Sequence, residues 1–220
     1  MTLIDISVVT GVGTPEWPGD TPFACGWSAR IADGSSVNLT TVTASPHVGT
    51  HADAPLHVRD GAAGVEGLPL GAFVGRVVVL GVEGAPRDLG DELLARVPAG
   101  TERLLLRTGV SIATGTFPTD WPALGAELAR ALTAGGLRLL GVDAPSVDRR
   151  ESKALDVHHA LFDGGACVLE NLDLRAVAEG EYELIAPPMR WIGVDAAPVR
   201  AVLRVQGSKG GKGSKGSKGS

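Results

Sequence analysis

The stretch SPHVGTHADAPLH at residues 45–57 restricts this chain more than any other. Pro46, Gly49 and Pro55 interrupt it too often for a helix, since proline lacks the amide donor and clashes with the preceding turn. A helix would also set His51 and Asp53 about 200° apart around its axis. In an extended chain the same residues become a set. His47, His51, Asp53 and His57 all stand at odd positions, so a two-residue period projects them to one side, with Thr50, Ala52 and Ala54 on the other. Imidazoles crowded around a carboxylate are costly to bury without a cation. Their donors suit zinc or another borderline divalent ion, and manganese and cobalt are compatible with the same atoms. The HExxH helix of the zincins has no counterpart here.

The remaining histidines, His158 and His159, are adjacent in ESKALDVHHALFDGG, which fits a short helix opened by Ser152 and closed at Gly164 and Gly165. Stepping about 100° per residue gathers Ala154, Leu155, Val157, Leu161 and Phe162 into one apolar arc. His158 falls inside that arc, and His159 falls outside it beside Ser152 and Asp156. An inward imidazole needs a partner, and Glu170, on the expected strand ACVLEN, is a half-buried carboxylate that needs one too. Three imidazoles and two carboxylates exceed the needs of one tetrahedral ion and suffice for two if Asp53 and Glu170 bridge.

Around these clusters the 220 residues read as one α/β domain over 1–206. Leu3 to Val9, Phe23 to Ile31, Val37 to Thr43 and Val74 to Val82 are expected strands separated by Gly, Pro and Asp. A short helix is expected over Leu89 to Val97. Another begins at Asp120, with Leu124, Leu128 and Leu132 at spacing four, and stops at Gly135 and Gly136. Strands at Leu104 to Arg107 and Leu137 to Val142 flank it, an alternation typical of mixed or parallel sheets. The last fourteen residues, 207–220, hold only Gly, Ser and four of the five lysines, and read as an appended flexible tail. Without that tail the net charge moves from −5 to −9. An acidic body with no basic stripe argues against nucleic acid as a partner. No apolar run is long enough to cross a membrane, and Asp5 interrupts the first one, so a strand is expected there and not a signal peptide. A cytoplasmic protein is expected, with Cys25 and Cys167 outside any disulfide framework as small buried hydrophobes.

The run HVGTHADAPLH is similar to the HxGTHxDxPxH signature of the metal-dependent cyclase family. SKALDVHHALFDGGACVLENLDL and YELIAPPMR resemble its bacterial kynurenine formamidase branch, as does the entry segment EWPGDTPF. The similarity runs over residues 2–204. It implies a swivelling β/β/α fold, a homodimer, and hydrolysis of N-formyl-L-kynurenine to L-kynurenine and formate. By position, it implies one zinc on His47, His51, Asp53 and Glu170 and a second on Asp53, His158 and Glu170. It further implies His57 as proton donor and acceptor, and Trp17 against the aromatic ring of a small-molecule substrate.

Three other readings compete. A serine hydrolase needs a GxSxG elbow, and the nearest run, Gly26 to Arg30, ends in Arg. A related hydrolase opening a cyclic amide such as isatin would use the same cradle and differ in its pocket lining. A purely structural metal is disfavoured, because structural zinc sites are closed and thiolate-rich.

Overall fold

The computed structural model describes residues 2–205 apart from Glu83, Ala85 and Pro86, so the Gly/Ser/Lys tail lies outside the described residues. In chain order the strands are β1 (Thr2–Asp5), β2 (Ala24–Ala29), β3 (Leu39–Thr43), β4 (His51–Asp53), β5 (Val74–Gly81), β6 (Asp88–Leu89) and β7 (Arg103–Arg107). They continue with β8 (Ala123–Leu124), β9 (Leu139–Val142), β10 (Cys167–Glu170), β11 (Gly180–Ile185), β12 (Ala196–Pro198) and β13 (Val202–Val205). The α-helices are α1 (Asp91–Arg96), α2 (Ala126–Ala134) and α3 (Asp156–Asp163).

Nine strands make one mixed sheet in the order β1-β13-β11-β5-β7-β9-β10-β4-β12. Its centre, β5-β7-β9-β10, is parallel, because each successive strand is reached through one of the three helices. Antiparallel strands extend it on both sides. The central strands are buried on both faces, which is why they read as continuous apolar runs. Val78, Leu80, Leu104, Leu106, Leu140 and Val142 pack with the helical residues Leu128, Leu132, Val157 and Leu161. Val77, Val79, Leu105, Leu139 and Leu169 pack on the other face with Phe73, Leu184 and Leu203. This is the mixed, strand-rich α/β architecture expected.

Local boundaries differ from the periodicity. The helix expected from Asp120 starts only at Ala126, since Ala123–Leu124 pair with Asp88–Leu89 as a short parallel bridge. Leu124 is buried by that bridge and Leu128 and Leu132 by α2, so the spacing of four spans two elements. The helix expected from Ser152 starts at Asp156. Ser152 Oγ accepts from the Leu155 amide at 3.1 Å and closes a turn, and Leu155 adopts a left-handed φ of 49° before α3 begins. The first strand ends at Asp5, whose carboxylate accepts from the Ser7 amide at 3.1 Å. Cys167 is buried as expected, whereas Cys25 is exposed, because β2 pairs with β3 in a separate two-stranded sheet.

Candidate metal and active site

The site is set by the register of two short strands. On β4, Ala52 belongs to the core on one face of the sheet, which turns His51 and Asp53 to the other. On β10, Leu169 takes the same face as Ala52, so Val168 and Glu170 share the face of His51 and Asp53. The antiparallel pairing sets Glu170 opposite His51 and Val168 opposite Asp53. The helix α3 packs on this face and delivers His158. His51, Asp53, His158 and Glu170 are each at most 4% exposed.

The two carboxylates lie between two groups of imidazoles. Asp53 Oδ1 is 3.1 Å from His47 Nδ1 and 3.2 Å from His51 Nε2, while its Oδ2 is 3.2 Å from His158 Nε2. Glu170 repeats the division, with Oε2 3.6 Å from His51 Nε2 and Oε1 3.3 Å from His158 Nε2. Glu170 Oε1 also accepts from the Val147 amide at 2.8 Å.

Each ligand-type imidazole is fixed by its other nitrogen. His51 Nδ1–H donates to the Gly49 carbonyl at 2.9 Å, and His158 Nδ1–H to Asp148 at 2.6 Å. His47 reverses the pattern, with Nε2–H on Asp195 at 2.9 Å. With the rings neutral, these bonds leave an unprotonated nitrogen on each aimed at carboxylate oxygens, so the lone pairs repel unless positive charge, from a metal ion or a ring proton, lies among them. His51 Nε2 and Asp53 Oδ1 are accordingly buried without a hydrogen-bond partner. Separations of this size match ligands about 2.1 Å from a shared ion, whose tetrahedral edges are about 3.4 Å. The residues therefore fit divalent metal, with Asp53 and Glu170 able to face two ions.

The electrostatics make the same demand for positive charge. Burial works against protonated His47, yet attraction to Asp53 and hydrogen bonds with Asp195 and Asp53 raise its pKa to about 10. Burial also opposes charge on His158, and Asp148, Asp53 and Glu170 overcome it and hold that pKa well above the usual value. Asp53, despite complete burial, is held well below the usual carboxylate range by the surrounding histidines.

His57 borders this cradle, with a ring nitrogen within 4.8 Å of candidate ligand atoms of Asp53 and His158. The even alternation expected from residue 47 to 57 holds only across His51–Asp53: His47 sits in a turn, and His57 ends a single 3₁₀ turn, Pro55–His57. The chain still folds back far enough to place the His57 ring 4.3 Å from that of His47 and 5.7 Å from that of His158. His57 Nδ1–H donates to Asp195 Oδ2 at 3.1 Å, which leaves Nε2 without a hydrogen-bond partner among the described residues. His159 is outside the cluster, its Nδ1 3.4 Å from Arg59.

Two carboxylates here escaped the sequence reading. Asp148 accepts the Val157 and His158 amides at 3.0 and 3.1 Å as well as the His158 ring, so it caps α3 and orients its histidine at once. Burial raises its pKa, and the His158 contact more than offsets this. Asp195 holds both His47 and His57 through one oxygen, and the His47 hydrogen bond keeps it well below the usual range.

The cluster opens into a cavity of about 880 Å³ lined by Trp17, Asp20, His57, Phe117, Lys153 and Asn171, among others. Trp17 is half-buried and braced edge-on by Phe117 at 5.4 Å and Trp121 at 6.0 Å between centroids. Both non-glycine residues with positive φ among the described residues, Leu155 and Asn171, line this cavity. Such conformations cost about 1–3 kcal/mol each and concentrate at functional sites.

The Cyclase family model matches residues 4–149. A kynurenine formamidase of Bordetella avium (strain 197N) is 40% identical over 206 residues, covering 93% of this chain and 99% of that protein. A solved structure described as a predicted metal-dependent hydrolase from Bacillus stearothermophilus is 26% identical, with a TM-score of 0.78 over 92% of this chain and 97% of the other. Isatin hydrolase A from Ralstonia solanacearum shares the fold, with a TM-score of 0.72 at 20% identity over 92% of this chain and 91% of that one. With that match and a signature whose residues converge in space, the chain belongs to the cyclase family.

Proposed function

We propose that this hydrolytic enzyme of the cyclase family converts N-formyl-L-kynurenine to L-kynurenine and formate, with two zinc ions held by His47, His51, Asp53, His158 and Glu170. The observation that carries the reading is the division of Asp53 and Glu170, each with one oxygen toward His51 and the other toward His158. The full-length similarity to a kynurenine formamidase supports the substrate. Ions bound there supply Lewis acidity and a water ionisable near neutral pH.

The protein's own residues do the rest. The anilide nitrogen leaves readily only if it is protonated as its bond to the formyl carbon breaks. With its Nδ1–H on Asp195, His57 can accept at Nε2 the proton released as water adds to the formyl carbon and return it to the departing nitrogen. The Asp195 bond holds the ring so that Nε2 is the exchanging atom. Trp17, held by Phe117 and Trp121, offers an aromatic wall on which the substrate ring can stack or pack edge-on.

The test is the rate of N-formyl-L-kynurenine loss by purified protein before chelation, after it, and after zinc re-addition. Rapid turnover that chelation abolishes and zinc restores is expected. Bound metal without turnover, or preferential turnover of isatin, would overturn the substrate assignment, and a protein that binds no metal would overturn the whole reading.

A further inference from the structure

The cavity carries charge that neither the metal cradle nor His57 uses. Of its lining carboxylates, Glu170 is turned to His51, His158 and the Val147 amide, and Asp195 to His47 and His57. Asp20 is left over. It is half-buried, with Oδ2 accepting from Ser45 Oγ at 3.1 Å and Oδ1 without a hydrogen-bond partner among the described residues. Lys153 is the single Lys or Arg lining the cavity and makes no ion pair among the described residues. The arginines just before it are engaged elsewhere, Arg149 with Asp88 and Arg150 over the Phe117 ring at 5.9 Å.

Asp20 is also held in place relative to the aromatic wall. Trp17-Pro18-Gly19-Asp20 has proline second and glycine third, Gly19 has a φ of +103°, and the Asp20 amide donates to the Trp17 carbonyl at 2.9 Å. These are the marks of a type II turn, whose end residues lie within about 7 Å of each other. The indole and the carboxylate therefore travel together. Lys153 comes from a different element, the segment that leads through Leu155 into α3.

We propose that Asp20 and Lys153 take the ammonium and the carboxylate of a zwitterionic α-amino acid joined to the aryl ring, making this site selective for N-formylated aryl amino acids. The inference rests on the formamidase reading and deepens it. A neutral arylamide or cyclic amide gives both charges nothing to pair with, so it gains only ring contacts. A substrate bearing a carboxylate alone would satisfy Lys153 and meet repulsion from Asp20. The zwitterion matches both.

Three amides separate the contributions: N-formyl-L-kynurenine, its decarboxylated counterpart N-formylkynuramine, and the ring-only N-formyl-2-aminoacetophenone. Lys153→Met is expected to lower kcat/KM about 10- to 100-fold for the first and leave the other two within about twofold. Asp20→Asn should lower it for the first two and spare the ring-only amide. Zinc content and melting temperature, measured on each variant, confirm that fold and cradle are intact. Equal losses on all three amides, or none on N-formyl-L-kynurenine, would overturn the charge assignment while leaving the formamidase reading in place. A zinc-loaded wild type that hydrolyses none of the three would overturn both.

Discussion

Asp148→Asn separates the two tasks that one carboxylate performs at the start of α3. Asp148 Oδ1 accepts from the Val157 amide, and Oδ2 accepts from both the His158 amide and His158 Nδ1. Asparagine has nearly the same shape but one acceptor oxygen and an amide donor. With its oxygen toward His158 it keeps two of these bonds, and its NH₂ then meets the Val157 amide head-on. The lost cap bond costs about 1 kcal/mol. For a chain of this size that lowers the melting temperature of the chelated protein by about 2–4 °C. The second effect concerns metal. His158 would keep its tautomer but lose the charged partner that strengthens it as a donor, and losses of this kind reduce metal affinity about 10- to 100-fold. Zinc affinity by competition with a chromophoric chelator and thermal unfolding by circular dichroism read the two effects apart. A variant with the expected loss of melting temperature and wild-type zinc affinity would show that Asp148 is only a helix cap and refute its role in tuning His158.

His57→Gln should retain fold and metal while its turnover of the arylformamide falls by about 10²- to 10⁴-fold, the usual contribution of a positioned proton donor. Loss of zinc from that variant, measured by elemental analysis, would make His57 a ligand instead. Glu170→Gln should lower zinc stoichiometry at both positions, because each carboxylate oxygen approaches a different histidine; an unchanged count would contradict bridging. Asp143 gives a pH effect away from the metals. It is fully buried, and burial pushes its pKa up to about 6 despite donors from Thr108 and Gly109. A carboxyl raised on folding stabilises below its unfolded pKa and loses that contribution as pH climbs through the folded one. Relative to the non-titrating Asp143→Asn, wild type should therefore lose about 3 kcal/mol between pH of about 4 and 7, and a constant difference in denaturant unfolding would refute this. Finally, Trp27, Leu39 and Val42 on the β2–β3 ribbon are each more than half exposed, and an isolated two-stranded ribbon is marginally stable. A second copy of the chain covering it would explain both, so light scattering should give a dimer mass that Val42→Glu reduces, and a monomeric wild type would refute that.

The cluster of histidines and carboxylates was legible in the sequence because its spacing is local. His51 and Asp53 occupy alternate positions of one strand, and His158 and Glu170 lie twelve residues apart across a helix and the strand after it. Periodicity fixes such relations before any tertiary contact is known. The inward turn of His158 followed from the arc shared with Val157 and Leu161, which the fold buries together. His47 and His57 were placed on the correct side by an argument that applies to only part of the run. What brings them in is the turn before β4 and the 3₁₀ turn after it, both shaped by glycine and proline.

Asp148 and Asp195 were not legible for the opposite reason. Each acts on a histidine more than nine residues away in sequence, and Asp195 reaches His47 and His57 across 148 and 138 residues. The sequence did hold one signal, since GVDA occurs at 141–144 and again at 193–196. Asp143 and Asp195 follow the same tripeptide pattern, yet they meet different fates. Asp143 is enclosed by Thr108 and Gly109 and carries a raised pKa, whereas Asp195 meets two imidazoles and is driven the other way. A carboxylate's role here is assigned by the partners that the sheet order brings to it, β12 lying beside β4 although 142 residues separate Asp53 from Asp195. The convergence of these histidines and carboxylates could thus be read from spacing, while the residues that orient them required the topology.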